Sequence, residues 1–307
     1  MNMNMKELFQ VRHPLMGLEK EESEHEKRFG RPFSYHSCRD PDYPLIPFGY
    51  LYQIRSFPSV LNNETCHVLF MILSPPPHQQ QRALIRKHYQ RHLRVFNMSY
   101  FFVMGCDKKT NVSKESQQYA DILQLDHVDC YHNLSLAVLN ALQSIYDSQI
   151  SFDFLVKTDD DCVININSLF SIVDANHLKR IKFLYLGNCY NRGVYETHNR
   201  SSSHYIPSEL VSIDRFIPNY ATGAAYVLSS PLIPPLLLES RYLPFLTHQE
   251  DVSVGRAIHR AGLTCIAPRP GLWVARNGCI DPVTCHSFVV VHVSSDVKEL
   301  ERVYDFF

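Results

Sequence analysis

Apolar positions fall into runs and periods that alternate along the chain from residue 66 onward. Val68-Leu-Phe-Met-Ile-Leu73 is a continuous apolar run closed by Ser74-Pro-Pro-Pro77, the pattern of a buried strand. Gln79–His92 reads as an amphipathic helix, with Leu84, Ile85 and Tyr89 on one side and Arg82, Arg86 and Arg91 elsewhere. Tyr100-Phe-Phe-Val-Met104, ended by Gly105, is a second buried strand. Asn133–Asp147 carries Leu134, Val138, Ala141, Leu142, Ile145 and Tyr146 at helical spacing. Phe152-Asp-Phe-Leu-Val156 is a third strand and runs directly into Lys157-Thr-Asp-Asp-Asp161. Val252–Arg260 has a helical apolar side, and Ser287–His292 reads as a late strand. Strands alternating with helices predict an α/β fold, a mostly parallel central sheet with helices on both faces. In such sheets ligands bind beyond the carboxyl ends of the strands, where Asp159, Asp160 and Asp161 fall.

Residues 1–60 differ. Glu19–Arg31 is dense in charge, five prolines punctuate residues 32–58, and no apolar period persists. This segment reads as a stem or linker, with 61–307 as the main folded domain. No apolar run approaches the length of a membrane span.

At 45% hydrophobic and 20% charged residues, the 307-residue chain is neither disordered nor a disulfide miniprotein. A net charge of −1 argues against a nucleic-acid partner. Nine cysteines, an odd number, are many for a reducing compartment. Cys279 and Cys285 are spaced to close a short loop; spacing leaves the other pairings open. Five acceptor sequons begin at Asn63, Asn97, Asn111, Asn133 and Asn199, which points to a secretory-pathway lumen.

Three adjacent aspartates repel one another and need a counter-cation if buried. After a buried strand they suit a hard divalent metal, whose preferred ligands are oxygens. Alternation turns Asp159 and Asp161 one way and Asp160 the other. No Walker or GxGxxG loop is present, so a phosphate-bearing substrate would rely on metal and basic side chains. Glu250-Asp251 opens the helical segment near the C-terminal third, where acidic residues also serve as plain dipole partners.

The ordered set of these segments resembles the inverting β-1,3-glycosyltransferases of glycosyltransferase family 31. The matching elements are Arg82-Ala-Leu-Ile-Arg86, Phe101–Gly105, and Glu115 with Tyr119–Leu123 and Asp126–Leu134. They continue with Lys157–Asp161 with Asn165, Tyr220–Ser229, Glu250–Gly255 and the late His292. The resemblance covers about residues 66–295. Lys87-His88-Tyr89 stands where the family usually has a Thr-Trp pair, and Ala224 and Ala225 stand where glycine is frequent.

The resemblance implies a GT-A type nucleotide-sugar transferase fold. It implies transfer of a hexose or N-acetylhexosamine, galactose favoured, from a UDP-sugar to a glycan hydroxyl on glycoprotein or glycolipid, with inversion and a divalent cation such as Mn²⁺. Carried over, Asp161 and His292 with Asp159 hold the metal. Asp251 is the catalytic base, with Glu250 as competitor or orienter. Arg82, Arg86, Lys157, Asp159 and Asp160 lie on the donor side, and Tyr220, Gly223 and Tyr226 on the acceptor side. For Arg82 and Arg86 an acidic partner within the fold is the alternative. The competing functions are a non-catalytic carbohydrate-binding relative and a metal-dependent nucleotide-sugar phosphohydrolase. The resemblance also implies a Golgi lumen/membrane protein of type II topology, so the expectation is a chain lacking its N-terminal anchor through truncation, misprediction or a separate form.

Overall fold

The computed structural model describes residues 54–307 except 63, 149, 191–192, 195–204, 207–215, 244–245, 247–248, 269–271, 276–278, 280 and 294–295. Most of the stem-like segment (1–53), Cys38 and the sequons at Asn63 and Asn199 lie outside the described residues. The described residues belong to one compact unit spanning 40–307.

The chain opens with β1 (Ile54–Ser56), inside the segment read from the sequence as a stem. It continues through β2 (Thr65–Leu73), α1 (Gln79–Tyr89), β3 (Met98–Cys106), α2 (Ser113–Tyr119), β4 (Ile122–Val128) and α3 (Leu134–Asp147). Next come β5 (Ser151–Asp159), β6 (Cys162–Ile164), α4 (Ile166–Val173), α5 (Asn176–Lys179), β7 (Tyr185–Tyr190), β8 (Gly193–Val194), β9 (Phe216–Ile217) and β10 (Tyr220–Ser229). The last elements are α6 (Ile233–Ser240), α7 (Glu250–Arg260), β11 (Val274–Ala275), α8 (Pro282–His286), β12 (Val290–His292) and α9 (Val297–Tyr304).

The central sheet has seven strands in the order β1-β4-β3-β2-β5-β10-β7. The steps β4-β3, β3-β2 and β2-β5 are parallel, while β1-β4, β5-β10 and β10-β7 are antiparallel. Five of the seven strands therefore share one direction, and the α/β class with a mostly parallel sheet holds. The apolar runs become central strands because both faces are covered. Val68, Phe70 and Ile72 face a core that includes Ile85 and Tyr89 of α1, Phe170 of α4 and Leu300 and Val303 of α9. Leu69 and Met71, pointing the other way, are equally buried. On the C-terminal side α6 packs on α7, and α7 lies along β10.

Two features bring distant sequence to the end of β5. The antiparallel β10 inserts between β5 and β7, pairing Tyr226 with Lys157 and Ala225 with Thr158. A small second sheet, β11-β12-β6, sets His292 opposite Cys162. Asn165 caps α4 by accepting from Ser168 N, and its Nδ2 donates to Phe288 O at 3.3 Å, fastening that sheet to the chain beyond β6.

Cys279 and Cys285 are joined, as their spacing allows, and Cys189 joins Cys265 to tie β7 to the segment after α7. Cys130 is also disulfide-bonded, whereas Cys66, Cys106 and Cys162 are free thiols. Lys87-His88-Tyr89 does packing work: Tyr89 stacks edge-on to Phe70 and His88 lies against Tyr304 of α9. Among the described residues, no helix is long and apolar enough to cross a membrane.

Candidate active site

β5 delivers its last residues to the carboxyl end of the parallel strands. Strand alternation and the tight turn into β6 then separate the three aspartates. Asp160 is buried (4% exposed) and turns into the protein, accepting from Ser74 Oγ at 2.6 Å and His78 Nδ1 at 2.9 Å. Asp159 and Asp161 remain partly open. Asp160 was expected on the donor side; the structure gives it an anchoring position instead. Ser74 and His78, its partners, carried no signal in the sequence beyond their place after the first apolar run.

Asp161 Oδ2 lies 3.4 Å from His292 Nε2 across the β6–β12 pairing. With Cys162 these side chains offer ligand atoms within 4.8 Å of one another. Burial pushes the Cys162 thiol well up, and Asp161 and His292 place a carboxylate and an imidazole beside it. That set, with Asp159 two residues away, fits a hard or borderline divalent cation. Burial pulls the Asp161 carboxyl upward, but the hydrogen bond and charge of His292 outweigh it and hold it below the usual range. Asp159 is pushed up to about 6, chiefly by burial, against the pull of Lys157.

The opposite wall is the N-terminus of α7, whose dipole favours the carboxylates of Glu250 and Asp251. Asp251 is partly exposed and accepts from Gly223 N at 3.2 Å. Glu250 is buried, accepts from Tyr226 Oη at 3.2 Å, and sits 2.6 Å from Lys157 Nζ. Burial lifts its carboxyl to about 7 even though Lys157 pulls it down. A Cβ at Gly223 would stand 2.9 Å from Glu250 Oε1, so a side chain there would displace that carboxylate.

Several residues expected at ligand surfaces are enclosed. Arg82 is fully buried, and all five of its N–H donors are used. Nε and Nη2 bind Glu115 at 2.9 and 2.7 Å; Nη1 reaches Ser74 Oγ and Pro75 O; Nη2 also reaches Pro76 O. Arg86 grips Asp121 with Nε and Nη2, gives Nη1 to Glu115, and stacks over Tyr119. Of the two alternatives, the acidic partner within the fold is the one seen for both, and Arg82, with all five donors used, has none for a diphosphate. Lys157 (1% exposed) likewise spends its donors internally. Tyr226 is fully buried, and Tyr220 (2%) packs against the ring of Tyr190, so neither offers an open acceptor face.

A small cavity of ≈ 40 Å³ lies at the carboxyl ends of β2 and β3, lined by Ser74, Met104, His127, Asp129, Asn133 and Ala137 among others. Asn133 Nδ2 donates to Val128 O, so the amide of this sequon is engaged within the fold.

A family model described as galactosyltransferase matches residues 80–269. The chain is similar to beta-1,3-galactosyltransferase 4 of Mus musculus, at 29% identity over 226 residues covering 64% of this chain and 60% of that one. It is similar to beta-1,3-galactosyltransferase 2 of Homo sapiens at 25% identity over 289 residues, covering 91% and 64%. It also resembles lactosylceramide 1,3-N-acetyl-beta-D-glucosaminyltransferase B of Xenopus laevis, 25% identical over 228 residues covering 70% and 59%. The chain thus spans about 60% of the length of these curated relatives. Among solved structures it is similar to a galactosyltransferase crystallised with donor and acceptor sugar analogues, at TM-score 0.42 and 9% identity, covering 78% of this chain and 94% of that one.

Proposed function

The chain belongs to the galactosyltransferase family, and on that premise we propose that it is a GT-A type, inverting β-1,3-glycosyltransferase. It moves a hexose or N-acetylhexosamine, galactose favoured, from a UDP-sugar to a glycan hydroxyl on a glycoprotein or glycolipid. The observation that carries this reading is the meeting of two acidic groups from different elements at the end of β5. Asp159 and Asp161 with His292 form one wall, and Glu250 and Asp251 form the other.

In this reading Asp251 is the base. It is the more open of the two α7 carboxylates and is oriented by the Gly223 N–H. The acceptor oxygen forms its bond to the anomeric carbon as the bond from that carbon to the diphosphate breaks. The hydroxyl proton passes to Asp251, and UDP leaves. The two events on opposite faces of the sugar account for inversion. Glu250, buried between Lys157 and Tyr226, orients this wall. Asp161 and His292, supported by Asp159, would hold a divalent cation such as Mn²⁺, which when bound supplies Lewis-acid neutralisation of the departing diphosphate. The disulfides and sequons support a lumenal site of action in the Golgi.

The test is a screen of UDP-sugars with and without Mn²⁺, followed by a panel of glycan acceptors, run beside Asp251→Asn. Transfer that requires an acceptor and falls at least a hundredfold in the variant, with UDP affinity kept, is expected. Phosphate release without an acceptor, or full turnover by Asp251→Asn, refutes the reading.

A further inference from the structure

We propose that Lys157 is a positioning residue that holds the two walls of the site in register; this deepens the transferase reading and rests on it. A lysine beside three aspartates at a strand end reads from sequence as an anion-binding group. Its burial and its partners say otherwise. Nζ donates to Asp159 Oδ1 at 2.8 Å and to Gly223 O at 2.6 Å, and lies 2.6 Å from Glu250 Oε1. These partners belong to β5, β10 and α7, so one ammonium joins three elements. Two of the three ammonium donors make hydrogen bonds, to Asp159 and Gly223, and Glu250 is held by charge at ion-pair distance.

Gly223 extends the junction. Its carbonyl oxygen accepts from Lys157, and its N–H donates to Asp251 Oδ2 at 3.2 Å. The route from Asp159 on one wall to Asp251 on the other therefore crosses only Lys157 and the backbone of Gly223. The junction is closely fitted: a Cβ at 223 would meet Glu250 Oε1 at 2.9 Å, Lys157 Nζ at 3.6 Å and Asp251 Oδ2 at 3.7 Å. Tyr226 Oη seats Glu250 from the far side, and the tyrosine ring lies 5.8 Å from the ammonium.

Displacement with inversion needs a base opposite the departing group, and an error near 1 Å costs about a hundredfold in rate. The β5–β10 pairing and the packing of α7 along β10 bring the walls together, and this junction ties the side chains that face the site. Lys157 acts on the rate through Asp159 and Asp251 and does not touch the donor.

Two variants approach the junction from opposite sides. Lys157→Met keeps much of the stem and removes the charge; Gly223→Ala keeps every charge and crowds the meeting point. Melting curves, kcat, donor KM and calorimetric UDP affinity with Mn²⁺ are measured for both. The expected result is a kcat loss of about a hundredfold, with donor KM and UDP affinity within about threefold of wild type. A folded variant of either kind with wild-type kcat overturns the proposal. So does a loss confined to UDP affinity, which would make Lys157 a donor contact. If Lys157→Met does not fold, Gly223→Ala decides. Should the wild type transfer no sugar, the transferase reading fails, and the junction is then judged by hydrogen exchange at the Gly223 amide. Exchange accelerated at least tenfold in Lys157→Met supports the coupling; unchanged exchange overturns it.

Discussion

Replacing Arg82 by methionine separates a structural guanidinium from a substrate-binding one. Methionine fills much of the same volume but leaves Glu115 with only Arg86, takes the Arg82 donor from Pro76 O and Ser74 Oγ, and leaves Pro75 O with the His78 N–H. Removing one partner of a buried ion pair costs about 3–5 kcal/mol, and each buried acceptor left unpaired costs about 1–3 kcal/mol where water does not reach it. A loss of at least about 3 kcal/mol is expected, or a melting temperature lower by roughly 6–12 °C for a domain of this size. Arg82→Lys restores the charge but supplies three donors where five are used, so it should recover part of the loss. The assay pairs urea or thermal denaturation with calorimetry of UDP and Mn²⁺ at a temperature where the variant is folded. UDP affinity should stay within about threefold of wild type, because none of the five donors faces outward. A variant that melts like wild type yet loses UDP affinity would refute the argument and return Arg82 to the diphosphate.

Asp161→Ala should abolish the Mn²⁺-dependent part of UDP binding, since it removes the carboxylate facing His292; unchanged calorimetric affinity in Mn²⁺ would exclude Asp161 as a ligand. Burial lowers His88 and His127 to about 4, with His92 and Arg91 adding to the effect at His88 and Asp126 opposing it at His127. The unfolded chain then binds more protons than the native one between about pH 6.5 and 4, so both groups cost stability as pH falls through that window. His78 works in the opposite sense, raised by its hydrogen bond to Asp160. The clean comparison is therefore His88→Leu against wild type: the variant should lose less stability between pH 7 and pH 5, and parallel denaturation curves would contradict the assignment. In a eukaryotic secretory host, Asn97→Gln and Asn111→Gln should each remove one glycan, since both asparagines are exposed, whereas Asn133→Gln should leave the mass of the glycan complement unchanged. A glycan lost with Asn133 would mean that its amide is accessible when the chain is modified.

The sequence by itself determined the α/β class, because central parallel strands must be apolar on both faces and so stand out as unbroken runs such as Val68–Leu73 and Phe101–Met104. It also placed the carboxylates at a strand end, and alternation along β5 and its turn separated Asp160 from Asp159 and Asp161. What it left open was set by pairing between distant segments. The antiparallel β10 was legible only as a motif, since Tyr220–Ser229 mixes small and aromatic residues without a strand's simple period. Its insertion beside β5 carries Gly223 to Lys157. The short β6–β12 pairing, invisible to any local period, brings His292 to Asp161. Charge was the least transparent signal. Arg82, Arg86 and Lys157 look like ligand-binding cations in one dimension, and burial beside Glu115, Asp121, Asp159 and Glu250 makes them internal fastenings. A local pattern fixes which face a side chain takes. Only the tertiary structure decides whether water, a substrate or another buried charge waits on that face, because desolvation and partner geometry depend on segments far away in the chain.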